Sequence, residues 1–207
     1  MAQSRFATGF AHPYDMPDTR PICQVVAGPN GSGKSTFALR YLPRWSGHVE
    51  YVNPDLIAQG ESPLDIRLTA YEAAKRTLLR IRQLVAIGKS FAFETTLSGK
   101  TQFSLLDECI ASGFEVNIYY LWLPSPDPLP ARIRHRVVSG GHDGPGADIV
   151  RRFARSSENL RKYAMTADRV LVFDAQPQVP ELIWRRNGSE LVVDPVRAAE
   201  MKKGLGL

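Results

Sequence analysis

The stretch AGPNGSGKST, Ala27 to Thr36, decides the fold. Residues 28–35 satisfy G-x-x-x-x-G-K-[ST] at every position. The flanks agree with it: the apolar run Ile22–Ala27 enters as a buried strand, and Gly33–Leu42 leaves as a helix, with Pro43 expected to stop it. Glycines let such a loop curl so that successive amides face an anion at the positive end of the following helix. Gly28, Pro29, Asn30, Gly31, Ser32, Gly33, Lys34, Ser35 and Thr36 are therefore expected to hold the phosphates of ATP. Lys34 would reach the β- and γ-phosphates, and the Ser35 hydroxyl would be the protein's ligand to Mg²⁺.

Working outward, short apolar runs alternate with helical patterns. Val49–Val52 reads as a second strand ending at Asn53-Pro54-Asp55. Ser62-Pro63 opens a long helix whose apolar positions, Leu64 to Val85, recur every three or four residues until Gly88. Phe91–Phe93 is a third strand arriving at Glu94, Thr101–Ser112 a helix, and Val116–Leu123 a fourth, nearly all-apolar strand. Two arginine-rich helical stretches, Ala131–Ser139 and Ala147–Ala164, flank SGGHDGPG, a hinge suited to a lid. Val170–Phe173 is a fifth strand, Glu181–Val193 a hairpin turning at Asn187-Gly188, and the tail after Asp194 is expected to be loose. The pattern predicts an α/β fold with a parallel five-stranded sheet, helices on both faces, an Arg-rich lid at about 131–164 and a C-terminal hairpin. One domain is expected over 21–194, between a flexible lead-in of 1–20 and a tail of 195–207.

Composition narrows the classes. Hydrophobic residues make up 43% and charged residues 23% of the 207, no run reaches the length of a membrane span, and the lead-in lacks the apolar segment of a secretion signal. A cytoplasmic protein with no membrane partner is expected, its two cysteines, Cys23 and Cys109, being buried thiols. Between Arg132 and Lys162 eight Lys/Arg face three acids, an excess equal to the net +5 of the whole chain. Such a segment suits polyphosphate; nucleic acid is disfavoured because only Phe153 and Tyr163 interleave with the basic residues.

Whether the γ-phosphate goes to water or to an acceptor depends on the acids. The guanine-reading N-K-x-D of switch GTPases is missing, as is a long apolar strand ending in Asp-Glu. Instead Asp55 follows the second strand and Glu94 ends the third. In an open parallel sheet both would meet the loop at the carboxyl edge, where ligands bind. Asp55 there can take a proton from an acceptor hydroxyl, although Asp is also favoured as a helix cap. Glu94 has three roles open to it: orienting the acceptor, holding Mg²⁺ through water, or pairing with an arginine. Arg152 and Arg155 share a helix face, as do Arg151 and Arg155, and one or two of them are expected to touch phosphate. The pattern favours transfer. A polynucleotide or nucleoside kinase, and a nucleotide-gated regulatory module, are the competing readings.

Together AGPNGSGKSTF, VNPDLIA, FAFETTLSG, YYLWL and RVVSGGHDGPGADIVRRFARSSENL resemble the short bacterial zeta-toxin-like kinases, from Ile22 to about Asp174. The resemblance implies a nucleoside-kinase-like three-layer fold. It also implies transfer of the ATP γ-phosphate to the 3′-hydroxyl of the amino sugar of UDP-N-acetylglucosamine, and an antitoxin protein as partner. By motif, Asp55 matches the acceptor-activating aspartate, Glu94 and Thr96 the E-x-T that holds the sugar nucleotide, and Arg136 the first lid arginine. Where longer members carry a second lid arginine this chain has His142, and Arg152 would supply the missing charge.

Overall fold

The computed structural model describes residues 20–46, 49–61, 70–132 and 146–206. The expected helix start at Ser62 and the lid residues Arg136 and His142 lie outside them. Among the described residues the elements follow in the order β1 (Ile22–Ala27), α1 (Lys34–Ser46), β2 (Glu50–Val52), α2 (Pro54–Glu61), α3 (Ala70–Ala86), β3 (Phe91–Thr95), α4 (Lys100–Ala111), β4 (Glu115–Trp122), α5 (Gly146–Thr166), β5 (Arg169–Asp174), β6 (Glu181–Asn187), β7 (Ser189–Val192) and α6 (Pro195–Leu205). They build one sheet in the order β2-β3-β1-β4-β5-β6-β7.

The five expected strands are parallel, but the sheet has seven. The hairpin does not stand apart: β6 pairs antiparallel with β5, and β7 with β6. The outer edge of β5 offers a row of backbone donors and acceptors, and an adjacent strand satisfies them best by extending the ladder. Alternation along β1 sends Cys23, Val25 and Ala27 to one face and Val26 to the other. The first face is covered by Ile81 and Leu84 of α3, Leu105 and Leu106 of α4, Leu160 and Tyr163 of α5, and α6. The second is covered chiefly by α1, through Phe37, Ala38, Tyr41 and Leu42.

Pro43 does not stop α1, which runs on to Ser46. A proline inside a helix removes one backbone hydrogen bond. The extra turn is held by Trp45, stacked on Tyr41 at 5.3 Å between ring centroids and packed against Tyr119 at 5.4 Å and Phe173 at 6.2 Å. Packing of this half-buried indole against three rings offsets that loss.

The tail is not loose. Asp194 caps α6 by accepting from the Arg197 amide at 3.0 Å, Pro195 takes the first helical position, and Gly206 (φ 67°) closes the helix in the left-handed region. Ala198, Met201 and Leu205 face the core, and Arg197 pairs with the buried Asp174 at 3.3 Å. Met201 is fully buried, so Met201→Ala is expected to destabilise the fold by about 2–4 kcal/mol, read by urea denaturation. No helix of the described residues is long and apolar enough to cross a membrane.

Candidate active site

The phosphate loop connects β1, the central strand of the parallel part of the sheet, to the start of α1. β1 stops at Ala27 beside β3 and β4, and the chain turns through Gly28 at φ 145°. A Cβ there would stand 2.7 Å from the Leu121 carbonyl oxygen and 2.9 Å from Ser32 Oγ, so the backbone comes too close to β4 for any side chain. The Ser32 amide donates to the Pro29 carbonyl at 3.2 Å, and the Phe37 amide opens the helix by donating to Gly33 at 2.9 Å. Lys34 Nζ donates to the Pro29 carbonyl at 3.0 Å, which keeps the ammonium folded over the loop.

Glu94 reaches the loop because of strand alternation. Tyr51 pairs with Ala92 in the β2–β3 register, and Glu94, two residues beyond Ala92, projects to the same side as α1. The Ser35 hydroxyl lies 2.9 and 3.1 Å from its two oxygens and donates to the carboxylate. Tyr51 donates to the same carboxylate at 2.9 Å. Burial, with the charge of Glu94 second, pushes the Tyr51 hydroxyl well above the ordinary tyrosine range, so it stays a protonated donor. Its hydrogen bonds among the described residues are to Ser35 and Tyr51, which turn the Glu94 carboxylate toward the loop.

Asp55 lies in the first turn of α2 and is exposed on the cleft. It is not the cap. Asn53 Oδ1 accepts from the Asp55 amide at 2.7 Å and the Leu56 amide at 3.4 Å, and Pro54 takes the first helical position. Capping by Asn53 leaves the carboxylate of Asp55 to the cleft. An Asn immediately before Pro was the signal for this, and the pattern of the chain alone had left Asp55 as the rival cap. Thr96 shares a hydrogen bond with Ser98 at 2.7 Å. Between them Leu97, fully buried, adopts φ 55°, its amide donating to Thr95 Oγ1 and its carbonyl accepting from Asn159 of α5 at 2.6 Å.

Lys34, Ser35, Asp55, Glu94, Thr96 and Arg152 line one cleft of about 930 Å³. That volume falls at the upper end of the range of about 300–1,000 Å³ usual for small-molecule sites. Arg151 and Arg155 are exposed and do not line the cleft, so Arg152 alone of those three reaches it. Arg132, counted in the sequence only for its charge, lines the far end. It donates to the carbonyls of Ala175 at 2.8 Å and Gln176 at 3.1 Å, tying the chain after β4 to the loop after β5. Arg40 completes the basic wall beside Tyr41.

The residues fit a bound phosphate with Mg²⁺. Ser32 Oγ is buried and has no hydrogen-bond partner in the described residues, a group that a phosphate oxygen would satisfy. The Ser35 hydroxyl and the Glu94 carboxylate are hard oxygen donors. Mg²⁺ takes few such protein ligands and fills its shell with water and substrate phosphate.

The fold is one shared with solved structures at low sequence identity. It matches a structure from the PezAT chromosomal toxin–antitoxin system of Streptococcus pneumoniae with a TM-score of 0.63 and 14% identity, over 93% of this chain and 87% of that one. It also matches the AvrRxo1-ORF1:-ORF2 crystal structure with ATP, TM-score 0.66 and 16% identity, over 88% of this chain; the chain spans 63% of that one. No family model matches the sequence. The chain belongs to one family with an uncharacterized protein of Haemophilus influenzae (strain ATCC 51907 / DSM 11121 / KW20 / Rd), 31% identical over 115 residues, which are 56% of this chain and 80% of that protein.

Proposed function

We propose that the protein is an ATP- and Mg²⁺-dependent kinase that moves the γ-phosphate to a hydroxyl of a small acceptor, with UDP-N-acetylglucosamine as the leading candidate. The observation that carries this reading is the convergence of the loop, Ser35–Glu94 and the exposed carboxylate of Asp55 on one cleft. A hydrolase needs only a positioned water, whereas a carboxylate presented on its own helix turn suits an acceptor hydroxyl. The acceptor identity rests on the motif resemblance, in which Glu94 and Thr96 stand where sugar nucleotide is held. Both line the cleft.

In this reading the loop amides and Lys34 bind and orient the triphosphate. Ser35, with Glu94 behind it, would hold Mg²⁺, which when bound neutralises charge on the β- and γ-oxygens. Asp55 takes the acceptor's proton as its oxygen bonds to the γ-phosphorus. The bond to the β,γ-bridging oxygen breaks, and its electron pair leaves with ADP. Arg152 stabilises the charge spread over the transferring group, joined by Arg136 in the motif-based assignment. His142 and Thr96 would contact the acceptor. Arg132 fixes the loop after β5, against which the nucleobase would lie.

An antitoxin protein as partner belongs to the same proposal. Its support is that structures sharing the fold come from the PezAT toxin–antitoxin system and the AvrRxo1-ORF1:-ORF2 complex. The deciding experiment offers γ-labelled ATP and Mg²⁺ with UDP-N-acetylglucosamine, other UDP-sugars, nucleosides and a 5′-hydroxyl oligonucleotide in separate reactions. Label on the UDP-amino-sugar is the expected result. Label on the oligonucleotide would move the protein to the polynucleotide kinases, and label released only as free phosphate would leave the regulatory module.

A further inference from the structure

Two ends of the cleft are joined by a chain of hydrogen bonds that no motif contains. It begins at Ser35, whose hydroxyl donates to Glu94, and passes to Tyr51, whose hydroxyl donates to Glu94 Oε2 at 2.9 Å. Tyr51 in turn accepts from Asn53 Nδ2 at 3.1 Å. Asn53 then caps α2 through its Oδ1, holding the amides of Asp55 and Leu56. The arrangement follows from local geometry. Residues two apart on an extended segment project to one side, which brings Tyr51 and Asn53 together at the end of β2. Among the described residues, the Tyr51 hydroxyl links the carboxylate against the P-loop serine to the side chain that sets the first turn of α2. The ring itself packs against the core on the α1 face, so the fold needs the ring, and the hydroxyl is left for this link.

We propose that Tyr51 is a positioning residue that couples the nucleotide half of the cleft to the acceptor half, by holding Glu94 against Ser35 and Asn53 against the turn that presents Asp55. Its consequence for the rate rests on the kinase reading; its consequence for the structure does not. A phosphate group and metal arriving at Ser35 draw on Glu94, and the pull is passed through Tyr51 to the capped turn. Phenylalanine in this place keeps the ring packing and removes the link.

The test is Tyr51→Phe, compared with the unaltered protein by hydrogen–deuterium exchange with and without Mg²⁺ and the non-hydrolysable analogue AMP-PNP, and by steady-state transfer. In the unaltered protein the analogue is expected to slow exchange at the amides of Asp55 and Leu56. In Tyr51→Phe the analogue still binds within about threefold, the slowing at those two amides is largely lost, and kcat falls about tenfold with KM for ATP within about threefold. Asn53→Asp keeps the capping oxygen and deletes the Nδ2 donor, and is expected to lose the same slowing. Equal slowing in Tyr51→Phe and the unaltered protein overturns the proposal, as does no slowing in either, or loss of nucleotide binding in the variant. A fall in kcat accompanied only by a lower melting temperature, with the slowing kept, also overturns it, because Tyr51 is then structural. If no acceptor is phosphorylated by the unaltered protein, the proposed function fails, while the exchange result still decides the role of Tyr51.

Discussion

Asp55→Asn is expected to lower phosphoryl transfer about 10³-fold while ATP affinity stays within about twofold. The size follows from what the substitution removes. The amide of asparagine cannot take a proton at neutral pH, but it fills the same volume in the first turn of α2. Stability is not the route of the loss, since the cap is Asn53 and the Asp55 side chain is exposed. The loss of a negative charge near a helix N-terminus costs only about 0.5 kcal/mol. Labelled-ATP transfer and calorimetric titration with AMP-PNP separate the two effects. A regulatory module that hydrolyses slowly predicts the opposite pattern, with turnover unchanged, so one variant discriminates the two classes of function.

Gly28→Ala is expected to weaken nucleotide binding about 100-fold and to destabilise the fold by about 2–3 kcal/mol. Two costs combine. The φ of 145° is one that L side chains rarely adopt, and the added Cβ would stand 2.7 Å from the carbonyl oxygen of Leu121. That oxygen belongs to β4, a strand paired on both sides and buried along its length. It has nowhere to move, so the loop must. Gly33→Ala is the control: its φ of 93° is also strained, but nothing lies within 4 Å of the added Cβ. It should destabilise by about half as much. Urea denaturation with AMP-PNP titration reads both quantities, and equal effects in the two variants would show that conformational strain acts alone.

The parallel direction of β1 to β5, the P-loop and the convergence of Asp55 and Glu94 could be read in advance because each has a short-range signal. An apolar run leading into a glycine loop has few structural solutions, and right-handed crossovers carry consecutive strands to the same edge. The helix α6 had its signals as well: Asp194, Pro195 and Gly206 mark its start and end. Its order depends on tertiary packing, because Met201 and Leu205 are buried against the surface that α5 and β6 provide. Pro43 shows the reverse case, a true local breaker overruled by aromatic packing at Trp45.

At the cleft the division is sharper. The sequence by itself determined that a triphosphate loop, an aspartate after the second strand and a glutamate at the end of the third share one edge, since loop chemistry and strand alternation act over a few residues. Only the tertiary structure decided which atoms meet. Ser35 and Glu94 are 59 positions apart, and Tyr51 joins the same carboxylate from a third element. It also decided that Asn53 and not Asp55 caps α2, and that Arg132 is spent on the carbonyls of the loop after β5. Hydrogen bonds between distant side chains depend on the register and tilt of packed elements, and those are set by how the whole core fills space.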